Sequence, residues 1–175
     1  MIPEGFIPAG TDSVCFTGHR ILSPDEQDAS RRLLDLVIAE LAAAGVRDFY
    51  CGGAVGFDTS AELAVLRARG SGVPVRLRLI LPSPDMDKNW SASDSAVLAG
   101  IIRLSDSAEY LSDVYSRQAI FCRNLALVNR SGLCVAWMKP ETRRGGTFFT
   151  ANYAAKHGVP VLNLYDCYER EKGDG

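Results

Sequence analysis

The chain has 175 residues, of which 47% are hydrophobic and 23% are charged, and its formal net charge is −2. This length is typical of one domain, and the composition excludes disordered, collagen-like and coiled-coil proteins. No apolar run approaches the ~18 residues that a membrane span requires, and the first dozen residues lack the basic and apolar regions of a signal peptide. We therefore expect a soluble cytoplasmic protein with no membrane partner.

Short apolar runs alternate with helical stretches along the whole chain. The runs that predict β-strands are Val14–Thr17, Asp48–Cys51, Val75–Leu81, Ala108–Leu111, Leu133–Met138 and Val159–Leu164. The stretches that predict helices lie at about 25–44, 57–70, 92–103, 116–130 and 146–157. The first helix is the clearest, because Ser23 to Glu26 has the pattern of a capping box with proline at the first helical position.

This alternation predicts a doubly wound α/β fold. Strand, helix and strand repeated five times favour a mainly parallel sheet of about six strands with helices on both faces. We expect a single domain over residues 13–165, with short flexible ends at 1–12 and 166–175. The five cysteines are not spaced as metal ligands, so no metal site is expected. No cofactor is expected either.

Two glycine-rich turns follow predicted strands and lead into predicted helices. Ligands of parallel sheets bind outside the carboxyl ends of the strands, where such turns meet. In the Gly52–Asp58 turn, glycines permit close approach of a phosphate to the free N–H groups of a helix N-terminus. The alternative is a tight connection in which Asp58 only caps its helix.

The second turn, Gly145 to Thr147, has Arg143 and Arg144 beside it. A pair of arginines alone is typical of a solvated loop. On the same edge as another glycine turn, it favours phosphate binding. Arg20, after the first strand, adds a third guanidinium, and His19 beside it is an anion donor or a structural hydrogen-bonding residue.

Four segments together resemble a known family. They are Thr17–Arg20, Cys51–Asp58, Cys122–Asn124 and Gly145–Thr147. In this order they are similar to the YpsA-like family, a bacterial branch of the SLOG superfamily, which also holds the DprA recombination mediators and the LOG-type phosphoribohydrolases. The resemblance covers about residues 13–165. It implies a Rossmann-like fold and association with nucleotides, nucleotide-derived ligands or nucleic acid, with no settled reaction for this branch.

The resemblance implies two further hypotheses. LOG-type enzymes cleave the N-glycosidic bond of nucleoside monophosphates with an arginine, matched here by Arg123, and a glutamate whose position is taken by Thr150. Threonine cannot act as that carboxylate, and Glu62 is a weak substitute. DprA-like proteins bind single-stranded DNA through a basic surface, which a net charge of −2 makes improbable here.

The function predicted from the sequence is therefore the binding, as a sensor or a processing protein, of a small phosphorylated ligand of the nucleotide type. The alternatives are a LOG-like hydrolase, a DprA-like DNA binder and a scaffold for another protein, and homo-oligomerisation stays open. The predicted ligand-binding residues are Gly18, His19, Arg20, Gly52, Gly53, Gly56, Asp58, Arg123, Arg144, Gly145, Gly146 and Thr147.

Overall fold

The computed structural model describes residues 2–173, whose six strands form one parallel sheet. The strands are β1 (Ser13–Gly18), β2 (Asp48–Cys51), β3 (Arg76–Leu81), β4 (Ser107–Tyr110), β5 (Leu133–Trp137) and β6 (Val161–Asn163). Every neighbouring pair is parallel, and the strand order is β4-β3-β2-β1-β5-β6. The predicted single α/β domain with a parallel sheet of about six strands is confirmed.

Six helices connect and follow these strands. They are α1 (Pro24–Ala43), α2 (Phe57–Gly70), α3 (Ala92–Leu104), α4 (Arg117–Asn129), α5 (Gly146–Lys156) and α6 (Leu164–Gly173). None of the helices in the described part of the chain is long and apolar enough to cross a membrane. The first five match the predicted helices to within a few residues.

Helix α6 lies where the sequence suggested a short flexible end. Its composition is strongly polar, but it buries Leu164, Cys167 and Tyr168. The Tyr168 ring packs 5.6 Å from that of Trp137, which is completely buried in β5. Burial of three side chains against the core therefore holds this segment as a helix.

Local sequence explains the start of α1. The Glu26 carboxylate accepts a hydrogen bond of 2.7 Å from the Ser23 N–H, and the Ser23 hydroxyl accepts one of 3.3 Å from the Glu26 N–H. These bonds satisfy two of the N–H groups that a helix start leaves without partners. The apolar face of α1, formed by Leu33, Leu34, Val37, Ile38 and Leu41, is buried.

The two faces of the sheet carry different helices. Val14 and Phe16 of β1 belong to a large core with α1, α2, α3 and α6, whereas Cys15 points to a smaller core with α4 and α5. Because crossovers between parallel strands are right-handed, a helix lies on one face of the sheet when the chain moves in one direction across it, and on the other face when the chain moves in the opposite direction. The chain moves outwards from β1 to β4 and then returns to the other side of β1. This reversal opens a crevice at the carboxyl ends of β1 and β5.

Candidate functional site at the carboxyl ends of β1 and β5

A cavity of about 390 Å³ occupies this crevice. Its lining contains all of the predicted ligand-binding residues except Gly52, Gly53 and Gly56. The lining residues are Phe16, Thr17, Gly18, His19, Arg20, Ala54, Asp58, Ile120, Arg123, Asn124, Leu127, Arg144, Gly145, Gly146 and Thr147. They come from the end of β1 and the loop after it, from the turn before α2, from the loop between β5 and α5, and from the helices α2, α4 and α5. This is expected for a site at a reversal of strand order.

The start of α5 forms one wall of the cavity. Gly145 is its N-cap with a φ of 92°, a left-handed conformation that favours glycine. No side chain hydrogen-bonds to the first turn as a cap, and the first turn contains no acidic residue. Gly145 and Gly146 are both exposed. This helix start therefore keeps N–H donors and a partial positive charge at the edge of the cavity.

The Gly52–Asp58 turn is different, because side chains of α2 occupy its N–H groups. The Gly53 N–H donates to Glu62 Oε1 over 3.0 Å, and the Ala54 N–H donates more weakly to Asp58 Oδ2 over 3.4 Å. Gly52 and Gly53 are themselves buried. The two carboxyl groups thus stand where a phosphate would bind, so this turn does not present those amides to a ligand.

The glycines of this turn and of β1 permit close packing. A side chain at Gly18 would overlap the Phe57 ring, and one at Gly56 would overlap the carbonyl groups of His19 and Arg20. The His19 carbonyl accepts a hydrogen bond of 3.1 Å from the Phe57 N–H. These contacts fix the β1–α1 loop across the start of α2.

Arg123 connects α4 to the same turn. Its guanidinium donates to the Gly52 carbonyl oxygen, and its Nη1 lies 3.9 Å from Asp58 Oδ2. Both side chains are about 7% exposed, so the pair is buried at the base of the cavity. Among the described residues, no hydrogen bond reaches the buried Arg123 Nε or Glu62 Oε2. Arg123 therefore positions the first glycine turn and also lines the cavity.

Asp58 and Glu62 have unusual acidities for one shared reason. Burial raises the pKa of Asp58 to about 6, although the nearby Arg123 charge acts in the opposite direction. Burial also raises the pKa of Glu62 well above its usual range, and the Asp58 charge adds to this. Asp58 lines the cavity, whereas Glu62 lies completely buried beneath the turn and does not.

His19 holds the loop between β5 and α5. Its Nε2 accepts a hydrogen bond of 3.1 Å from the Lys139 N–H, and the Thr142 hydroxyl lies 3.2 Å from the same nitrogen. Burial, together with the Lys139 charge, lowers the pKa of His19. A neutral imidazole with its proton on Nδ1 fits these contacts. Such a histidine orients the wall that contains the second glycine turn.

Thr150 and Asn124 differ in their relation to the cavity. The Thr150 hydroxyl donates to the Gly146 carbonyl oxygen over 2.8 Å, and the residue is buried outside the lining. Asn124 is only 6% exposed, and it lines the cavity beside Arg123. The Arg-Asn sequence in the family-like segment of α4 was the available signal for this residue.

The ionisable groups of the lining favour an anion. Three guanidinium groups, from Arg20, Arg123 and Arg144, face a single carboxyl group, that of Asp58. Within residues 2–173, Arg20 and Arg144 form no ion pair, and both are exposed. The cavity can therefore supply charged hydrogen-bond donors to a phosphate or a carboxylate.

Comparisons with known proteins show the fold. No family model and no curated protein matches the sequence. Among solved structures, DNA processing protein A (DprA) from Streptococcus pneumoniae matches with a TM-score of 0.61 and 16% identity, over 85% of this chain and 48% of that chain. This chain thus spans about half the length of that protein.

Two further structures match over most of both chains. DprA from Helicobacter pylori, a protein with a described single-stranded DNA binding mode, has a TM-score of 0.60 and 18% identity, over 98% of this chain and 76% of that chain. The protein TM1055 has a TM-score of 0.55 and 17% identity, over 91% of this chain and 81% of that chain. The fold is therefore shared with the DprA proteins and with TM1055. The SLOG and YpsA-like assignments stay predictions.

Proposed function

We propose that the protein binds a phosphorylated, nucleotide-type ligand in the cavity between β1 and β5. The observation that carries this proposal is the uncapped, acid-free start of α5, which forms a cavity wall beside Arg144. The phosphate would accept hydrogen bonds from the amides of Gly145, Gly146 and Thr147. Arg20 and Arg144 would supply countercharge, since neither forms an ion pair among residues 2–173.

The size and the remaining lining agree with this ligand class. A volume of about 390 Å³ falls at the lower end of the range of small-molecule sites. Beyond the charged groups, Ile120 and Leu127 give the cavity an apolar side, and Asn124 and Thr17 add polar side chains. A phosphate held at α5 leaves this mixed surface for a sugar and a base.

The test is calorimetric titration of the protein with a panel of nucleoside monophosphates. Arg144→Ala removes a charged donor of the proposed site, and we expect affinity to fall about tenfold or more. Arg143→Ala is the matched control, because Arg143 does not line the cavity and its guanidinium donates to the carbonyl groups of Pro140 and Thr142. Equal losses in both variants, or no binding of any nucleotide by the parent protein, would contradict the proposal.

Hydrolysis of a bound nucleotide is a second candidate, which Asp58 favours. It is the carboxyl group of the cavity, and with a pKa of about 6 it exchanges a proton near neutral pH. Thr150 offers no carboxylate at the position where LOG-type enzymes have theirs. Incubation of nucleoside monophosphates with the protein, followed by chromatography for free base, tests this. Release that disappears in Asp58→Asn would support hydrolysis, and no release would leave binding alone.

Binding of single-stranded DNA gains support from one surface. Helices α4 and α5 contain no acidic residue, and their outer side has a row of rings in contact, Phe121, Phe149 and Tyr153. Aromatic rings on a surface without negative charge suit stacking of bases. The acidic residues that give the chain its net charge of −2 therefore lie outside these two helices. Fluorescence anisotropy with labelled oligothymidylate, and a Phe121→Ala variant, would test this candidate.

A further inference from the structure

A second cavity, of about 650 Å³, lies between α1 and α2. The first half of α1 forms one side, and α2 with the turn before it forms the other. Helix α3 contributes Asp94, and the β1–α1 loop closes the end nearest the proposed nucleotide site. The lining residues are Arg20, Leu22, Gln27, Asp28, Arg31, Val55, Gly56, Thr59, Ser60, Leu63, Arg67 and Asp94. We refer to this cavity as the α1–α2 groove.

Arg20 lines both the groove and the proposed nucleotide site. The backbone at His19 and Arg20 crosses Gly56 so closely that an added side chain at Gly56 would overlap it. This crossing is a ridge between the two cavities. Since the Arg20 side chain is exposed at the ridge and has no ion-pair partner within residues 2–173, it can contact anionic groups on either side.

Three arginines and two aspartates line the groove. Arg31 is exposed, and no ion pair involves it in the described part of the chain. Arg67 binds Asp35 through Nε and Nη2, at 3.3 and 2.7 Å, which leaves Nη1 without a bond to Asp35. Two carboxylates, of Asp28 and Asp94, also line the groove.

Arg67 is paired with Asp35, so Arg20 and Arg31 are the arginines of the groove without an ion pair among residues 2–173. Asp94 accepts a hydrogen bond from the Ser91 side chain through Oδ2, at 2.8 Å, within the N-terminal cap of α3. Apolar contact surface is provided by Leu22, Val55 and Leu63, the last of which is 39% exposed. The groove thus combines guanidinium groups with an apolar side, which suits a nucleoside unit attached to a phosphate.

We propose that the α1–α2 groove is a second subsite of the nucleotide site, and that the ligand has two nucleoside units joined through phosphate. This inference rests on the proposed function. The first unit would lie between β1 and β5, the linking phosphate would pass Arg20, and the second unit would lie against Arg31. The ligand class is therefore a dinucleotide, with either a phosphodiester or a pyrophosphate linkage.

Calorimetric titration with three adenine ligands tests the proposal. Adenosine 5′-monophosphate reports on the first site alone, and the 5′-phosphorylated dinucleotide pApA and the pyrophosphate-linked NAD report on both. We expect one of the dinucleotides to bind about tenfold tighter than the monophosphate. The dinucleotide that gains affinity identifies the linkage.

Arg31→Ala and Arg103→Ala provide the matched comparison. Each removes one exposed helical arginine, but Arg103 lies at the end of α3 and lines no part of the groove. Arg31→Ala is expected to abolish the gain of the dinucleotide and leave monophosphate binding unchanged, whereas Arg103→Ala changes neither. Thermal melts confirm that both variants are folded.

The outcomes separate this inference from the proposed function. Monophosphate binding without a gain for either dinucleotide would overturn the second subsite and leave the first site standing. A dinucleotide gain that survives Arg31→Ala would also overturn it, as would an equal loss of monophosphate affinity in that variant. Failure of all three ligands to bind the parent protein would refute the proposed function itself for adenine ligands.

Discussion

Replacement of Asp58 by asparagine measures what a buried negative charge costs this fold. The pKa of Asp58 rises from an ordinary value of 3.8 to about 6, because burial outweighs the attraction of Arg123. The difference of about 2 pH units corresponds to roughly 3 kcal/mol of free energy of unfolding. Asparagine keeps the shape and an oxygen that can accept from the Ala54 N–H, but it has no charge to lose or gain.

The sign of the pH dependence follows from proton binding. Between pH 3.8 and about 6 the folded protein holds a proton at Asp58 that the unfolded chain releases. Stability therefore falls as pH rises through this window, and the whole deficit is present above it. We expect Asp58→Asn to be more stable than the parent by about 3 kcal/mol at pH 7.5, and by less than about 1 kcal/mol at pH 4.

Urea unfolding at both pH values, followed by the fluorescence of the two tryptophans, of which Trp137 is completely buried, measures this difference. For a chain of this length, it corresponds to a rise in Tm of roughly 6–12 °C at pH 7.5. Asp113→Asn is the control, since Asp113 is exposed in the loop after β4, and its effect should stay within about 0.5 kcal/mol. Equal or lower stability of Asp58→Asn at pH 7.5 would show that Arg123 fully compensates the buried charge, and would refute the claim that burial outweighs this attraction.

Two further variants test how the cavity walls are held. Gly53→Ala should lower stability by about 2 kcal/mol or more, since the new side chain would be strained at a φ of 74° and would overlap Leu81. Gly72→Ala is the control, because Gly72 has a φ of 89° but lies in open space, and it should lower stability by only about 1 kcal/mol. Similar losses in urea unfolding would contradict the packing role of Gly53. His19→Ala removes the acceptor of the Lys139 N–H, so tryptic cleavage in the β5–α5 loop should accelerate at pH 7.5, and an unchanged rate would contradict that role.

The sheet and five of the helices could be predicted because their signals are local. The capping box at Ser23, the apolar face from Leu33 to Leu41 and the continuous apolar strands each follow from neighbouring residues. Their order along the chain then requires parallel strands and crossovers. The sixth helix was missed because its stability comes from contacts of Tyr168 with Trp137, about thirty positions away, and not from its own composition.

The sequence also predicted that most candidate site residues lie at the carboxyl edge of the sheet, but it could not distinguish the two glycine turns. Both have glycines with positive φ and precede helices. What separates them is the Glu62 carboxyl group, which reaches back from the second turn of α2 to accept a hydrogen bond from the Gly53 N–H. No such residue exists in α5, where Thr150 instead bonds to the Gly146 carbonyl oxygen. That difference depends on side-chain direction, which the spacing of motifs does not reveal.

The most direct test of the central proposal compares the two turns in one experiment. Amide NMR spectra of the ¹⁵N-labelled protein, titrated with a nucleoside monophosphate, report separately on Gly53 and on Gly145, Gly146 and Thr147. We predict large, saturable shifts at Gly145, Gly146 and Thr147 and small ones at Gly53, whose N–H is already bound to Glu62. Large shifts at Gly53 with none at Gly145 to Thr147, or no saturable shift at either turn, would contradict phosphate binding at the start of α5.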